Sequence, residues 1–543
     1  MRRRAIALAT GAFLCAGVAA MPAHRSGRVR APSRILLVPL DDRPSSLQWP
    51  VRLGAVADVE VVAPPDELLG SFTTPGQPDA IAAWIRAQDL ASFDAAVVSL
   101  DMLAYGGLVA SRTRGSASDS AALARLAFVR ELRRRAPRLP LYGASVLTRL
   151  APTADGTDEP YRVPLARWAE ISPVRGDPAL AAETARLEST IPEALRASYA
   201  AVRRRNAAIN RAALTLVGDG VLDYLIVSQD DARARGLHVA ERDALRAVID
   251  SAGVANAVTL QPGTDEASML LLARAVAVYA RRHPRVAVSY SSERMADEPM
   301  PYEDQPLRRT VSLQIAAAGG VEVRGGEASD LRLFVFTSRA APGRAAEFAD
   351  SVQRTVDRGE RVLVADVDPK GDVQGADSTF AEALASRRTV ARLAGFAAWN
   401  TAGNAIGTAL AHGMLSEVAA SATDGGARIA PSPAGARAHR WFLADRWLDD
   451  FVWHTLVRPR AVRLVRDRGW SALRLTAPQS DSVAQFATPL VRAEVIRLGT
   501  ALGGTDANGA ACAPLRDFRL TLPWRRTFEA EFEFTLTEAC SDN

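Results

Sequence analysis

Residues 223–231 read Asp-Tyr-Leu-Ile-Val-Ser-Gln-Asp-Asp, an apolar run from Tyr224 to Val227 ending in two consecutive carboxylates, Asp230 and Asp231. A parallel strand covered on both faces has this form, because neither face needs polar residues. Two acids at its carboxyl end are costly to hold together, since like charges at close range raise one of the two pKa values. Such a pair is either a solvated turn or an arrangement for chemistry.

The same grammar recurs outward from this stretch. Apolar runs at 34–40, 59–62, 95–100, 139–146, 258–261, 286–290, 331–336, 361–365 and 396–399 each lead into a polar cluster, and helical patterns lie between most of them. Alternation of this kind predicts an α/β domain with a mainly parallel sheet. Polar clusters at most strand ends favour a (β/α)8-type barrel, in which every strand end faces one mouth. The alternative is two doubly wound parallel-sheet halves facing a cleft, since about ten strands exceed the eight of a barrel. The α/β part is expected over 34–424. A helical and antiparallel β region is expected over 438–543, where Phe528-Glu-Ala-Glu-Phe-Glu-Phe534 alternates with period two.

The chain has 543 residues, 48% hydrophobic and 23% charged, enough for a large core with an accessory element. Its 66 basic and 61 acidic residues are mixed, so no nucleic-acid partner is expected. Lys370 is the only lysine, which leaves little room for Schiff-base chemistry. Arg2 to Arg4 followed by the small apolar run Ala5 to Ala20 reads as a signal peptide over 1–23, and hence a periplasmic or secreted protein. No later segment reads as a membrane span. Cys512 and Cys540 would remain and could form one disulfide. The six histidines are scattered, so no metal site and no cofactor is expected.

Several strand-end clusters are candidates for chemistry. Asp41-Asp42-Arg43-Pro44 sets two acids beside a guanidinium able to clamp a substrate or simply to fix its own loop. Asp101 and Tyr105, before Gly106 and Gly107, could meet sugar hydroxyls, and Arg149 ends its own strand. Asp265 either binds substrate or caps the following helix. Trp399 and Asn400, with Asn404 beyond, pair an aromatic platform with amides. Asp230 and Asp231 are the catalytic candidates; both reach one site only if the backbone turns there, because neighbours on an extended chain point oppositely.

Leu40-Asp-Asp-Arg-Pro44, Phe72-Thr-Thr-Pro-Gly76, Ser99 to Arg112, Gln229-Asp-Asp231, Gly263-Thr-Asp-Glu266 and Trp399-Asn-Thr-Ala-Gly-Asn404 together resemble a bacterial family known as DUF4127. That resemblance implies no established activity. A looser one is to substrate-assisted hexosaminidase barrels, which have adjacent Asp residues at a strand end and a later Asn. It implies that one of Asp230 and Asp231 orients a substrate acetamido group while the other is general acid/base.

The expectation is therefore an exported carbohydrate-active hydrolase, a glycosidase, taking a small-molecule or oligosaccharide substrate. A metal-assisted hydrolase using Asp41, Asp101, Asp231 and Asp366, or a non-catalytic sugar-binding protein of the cell envelope, are the alternatives. No oligomeric state follows.

Overall fold

The computed structural model describes residues 34–537, apart from 114–117, 156–158, 325, 340, 422, 425–426, 429–430, 500 and 502–514. The expected leader and both Cys512 and Cys540 lie outside the described residues.

Eleven strands form two open parallel sheets. In chain order they are β1 (Arg34–Val38), β2 (Glu60–Val62), β3 (Ala95–Ser99), β4 (Leu141–Leu147), β5 (Tyr224–Gln229), β6 (Val258–Pro262), β7 (Arg285–Tyr290), β8 (Val321–Val323), β9 (Leu331–Phe336), β10 (Val362–Asp366) and β11 (Gly395–Ala397). The first sheet has the order β2-β1-β3-β4-β5-β6 and the second β8-β7-β9-β10-β11. The winding repeats: in each sheet the opening strand lies between the second and the third, so each has a topological switch point beside it.

This corrects the barrel expectation. β6 pairs only with β5 and β7 only with β8 and β9, so the ladder breaks between the sixth and seventh strands. Both architectures put polar loops after apolar strands, and the sequence does not show which strands pair across that break. β8 is a short, exposed edge strand whose residues carry no apolar run, and the pattern did not reveal it.

Three apolar helices join the sheets. Ala267–Tyr279 packs on β3 and β4, Ala402–Ala420 packs on β9, β10 and β11, and these two helices pack on each other and on Gln48–Val56. The helix Ala402–Ala420 is buried around its whole circumference until its last turn, as a helix that is apolar all round must be. Its start comes against the end of β6 with almost no clearance. A Cβ on Gly403 would meet the Gly263 Cα and the Pro262 carbonyl oxygen at 3.0 Å. Glycine at 403 is what lets the two halves approach.

The C-terminal segment completes the same core. The helix Pro433–Arg446 runs into a π-helical stretch, Trp447–Val457, then into Arg458–Asp467 and Ala477–Arg497. The antiparallel hairpin Leu515–Thr521 with Glu531–Leu536 follows. Buried Arg446 sits among Asp445, Asp449 and Asp450, with its guanidinium 3.3 Å from the centre of the Trp49 ring. Asp450 also accepts the Ala398 N–H at 2.6 Å, which fastens these helices to the end of β11. No helix among the described residues is long and apolar enough to cross a membrane.

Gly403→Ala should destabilise the chain by about 1–3 kcal/mol, the usual range for overpacking a tight contact. Urea unfolding measures it, and an unchanged midpoint would mean that this close approach does not hold the halves together.

Candidate functional site

The carboxyl ends of both sheets open into one cavity of about 560 Å³. The first sheet contributes Arg43 after β1, Arg112 after β3, Arg149 after β4, Asp230 and Asp231 after β5 and Asp265 after β6. From the second come Tyr302 after β7, Gln374 after β10, and Asn400 and Asn404 after β11. The C-terminal segment closes the wall with Arg458, Trp524, Arg526 and Phe528. A volume of this size is in the range of small-molecule sites.

The two aspartates share the cavity because the chain turns between them. Asp231 has φ +25°, outside the extended region, so both carboxylates face one space instead of opposite sides. Each has its own guanidinium. Asp230 pairs with Arg112, and Asp231 accepts from Arg149 at 2.9 Å. Burial and the neighbouring Asp230 push the Asp231 carboxyl upward, while Arg149 and Arg112 pull it back. The cavity walls enclose Asp231, although 32% of its side chain still reaches solvent, so the upward push is tempered by water. Arg112 is pushed down from the usual arginine range, by burial first and then by the charge of Arg149.

Backbone strain gathers at the same place. Of ten non-glycine residues with left-handed backbone among the described residues, four line the cavity: Asp231, Tyr302, Gln374 and Asn400. Such conformations cost of order 1–3 kcal/mol each and persist only where the surroundings over-determine them. Here the ties are visible. The Ala232 N–H donates to the Tyr302 carbonyl at 2.7 Å, and the Asn400 N–H donates to the Gln374 carbonyl at 3.1 Å.

Arg43 is a clamp. It donates to Asp41 at 2.8 Å and to Asp265 at 2.7 Å, and its guanidinium lies 4.6 Å from the Trp524 ring centre. Burial raises the Asp265 carboxyl, and Arg43 opposes that. Asp265 thus faces the cavity and does not cap the helix Ala267–Tyr279 with its side chain. Asp42 accepts the Trp524 indole N–H at 2.6 Å, fixing the C-terminal wall to the end of β1.

Some expected residues stand behind the cavity. Asp101 is buried and accepts the Val146 N–H at 2.8 Å; burial pushes it up to about 7. Tyr105 is buried with the Arg205 guanidinium 4.5 Å from its ring centre. Trp399 offers no open platform: it lies edge-on to Trp49 at 4.8 Å and donates to Thr408 at 3.1 Å. These three do not line the cavity, and neither do the expected Asp41 and Asp42: buried hydrogen bonds, ion pairs and ring packing already occupy them. Asn400 donates to Asn404 at 2.7 Å and accepts from Gln374 at 3.1 Å, and both asparagines do line it. The oxygen ligands of the metal-assisted alternative are not gathered: Asp366 pairs with Arg339 at 3.1 Å away from the cavity, and no group of three or more metal-binding side chains occurs among the described residues.

Sequence reasoning missed Arg112, Tyr302, Gln374, Arg458 and the Trp524–Phe528 wall. Trp524-Arg-Arg-Thr-Phe528, aromatics interleaved with arginine between two strands, was the available signal.

Beneath the cavity floor, buried Glu266 accepts from Asn404 at 2.6 Å and from Gln314 at 2.8 Å, and Gln314 also donates to the Gly403 carbonyl at 3.0 Å. Burial pushes Glu266 up to about 8. Nearby Glu303 accepts the Gly403 N–H at 2.7 Å and is pushed up to about 7, again by burial.

Fold and site together define an α/β protein whose two open parallel sheets close on one polar, arginine-rich cleft. The chain belongs to the family described as "Protein of unknown function (DUF4127)", whose model matches residues 35–533, nearly the whole chain. No curated protein matches it.

Glu266 holds a proton in the folded chain that the unfolded chain, with its carboxyl near 4.5, has released. Its contribution to stability is full below about pH 4.5 and is lost as pH rises through about 8. Asp101 and Glu303 act in the same sense toward pH 7. The melting temperature should therefore fall between pH 5 and pH 9, and Glu266→Gln should flatten that fall; an unaltered slope in thermal melts would count against the assignment.

Proposed function

We propose that the protein is an exported carbohydrate-active hydrolase, a glycosidase working in the cleft between its two sheets. The observation that carries this reading is the pair Asp230–Asp231, turned into one cavity with a guanidinium on each carboxylate. Glycoside cleavage needs two carboxyl groups at the scissile bond, one carrying a proton and one anionic. Asp231 takes the general-acid role, since burial and the like charge beside it favour the protonated form. Asp230, ion-paired with Arg112, is the anionic partner that stabilises developing positive charge on the sugar. Amides of Gln229, Gln374, Asn400 and Asn404 line the cavity and suit hydroxyl groups, and Tyr302 and Phe528 supply ring surface.

Export rests on the basic and apolar start of the chain, Arg2 to Ala23. Cell fractionation tests it.

Asp230→Asn and Asp231→Asn should each cut turnover on a panel of glycosides by about two to four orders of magnitude, with the melting temperature retained. Turnover like wild type in both variants would sink the hydrolase, and glycan binding without any product would leave a sugar-binding protein.

A further inference from the structure

One arginine of the cavity wall has no carboxylate in direct contact with it. Arg43 and Arg149 have Asp265 and Asp231 at 2.7 and 2.9 Å, and Arg112 and Arg526 pair with Asp230 and Glu529. Nearer the rim, Arg162 and Arg233 have Glu159 and Glu170 at 3.1 and 3.4 Å. Arg458 alone among the lining arginines has no carboxylate at ion-pair distance among the described residues.

Its surroundings hold it in place without a direct ion pair, Glu529 and Asp449 acting on it only at longer range. The guanidinium lies 4.7 Å from the Phe528 ring centre, and its polar contact is to His454 Nδ1 at 3.4 Å. Burial and the charge of Arg458 keep that imidazole neutral, well below the ordinary histidine range. The Arg458 Nε is buried without a hydrogen-bond partner. A guanidinium left this way pays for desolvation with one cation–π contact and one long hydrogen bond, which is poor compensation. Its position is enforced, because it opens the helix Arg458–Asp467 directly after the π-helical stretch Trp447–Val457. Such stretches recur at functional sites, where they re-aim side chains.

We propose that Arg458 is an oxyanion-binding residue of the cleft, so that the substrate is a glycan bearing a carboxylate or sulfate group. The planar fork of a guanidinium donates to such a group in bidentate geometry, and its direct contacts, the Phe528 ring and the neutral His454 imidazole, supply no carboxylate in its place. This rests on the carbohydrate reading above and adds the charge of the sugar.

Calorimetry on the full chain, with an oligogalacturonide, a sulfated galactan oligomer and their uncharged counterpart as probes, decides it. At least one acidic probe should bind about tenfold or more tighter than the neutral one, the worth of one charge-assisted contact. Arg458→Gln should abolish that preference while leaving neutral binding in place, and Arg458→Lys should keep part of it. Which acidic probe wins tells carboxylate from sulfate. Equal binding of acidic and neutral probes, no binding of either acidic probe, or an equal loss for both kinds in Arg458→Gln would overturn the proposal. Should Arg458→Gln fail to fold, salt titration of the wild type replaces it: acidic binding must weaken with ionic strength, and salt-independent binding overturns the proposal. An acidic glycan bound but never cut would remove the hydrolase and spare Arg458, whereas turnover of neutral glycans alone would do the reverse.

Discussion

Two sheets with no strand pairing between them among the described residues must be held in one fixed relation, and the contact around buried Glu266, where the helices Ala267–Tyr279 and Ala402–Ala420 begin, is central to it. Its carboxyl belongs to the first half, just beyond β6, while Asn404 and Gln314 reach it from the second. Gly263 and Gly403 let the backbones come close enough for those bonds to form. Without that approach the strand ends would still be polar, yet they would face separate spaces. The cleft exists because an amide network and a pair of glycines fix the gap between two independent ladders.

Much of this was legible in the residues. Ten apolar runs with polar ends became ten strands, because a parallel strand buried on both faces has nothing else to be made of. The convergence of Arg43, Arg149, Asp230, Asp231, Asp265, Asn400 and Asn404 on one cavity follows from the same rule, since parallel strands deliver their carboxyl ends to one side. The pairing partner of β6 was not legible, and that is what separates a closed barrel from two open sheets. Nor was it visible that Asp101, Tyr105 and Trp399 would be packed away. Polar and aromatic residues at strand ends look alike in a sequence whether they face a cavity or the layer beneath it.

The cavity concentrates what is costly. Arg112 and Arg149 stand close enough to disturb each other, two carboxylates sit on adjacent residues, and four lining residues hold left-handed backbone. Elsewhere a buried arginine meets carboxylates directly, as Arg446 meets Asp445, Asp449 and Asp450. Arg458, by contrast, faces a phenyl ring and a neutral imidazole, an arrangement that stability alone does not favour.

The indole of Trp524 meets a carboxylate 482 positions earlier, at Asp42. A ribosome releasing this polypeptide therefore delivers both aspartates of the cleft long before it delivers the C-terminal part of its wall. The cleft is enclosed only once the final stretch docks, so a nascent or tail-clipped chain would carry the acids of the site without an enclosed space around them.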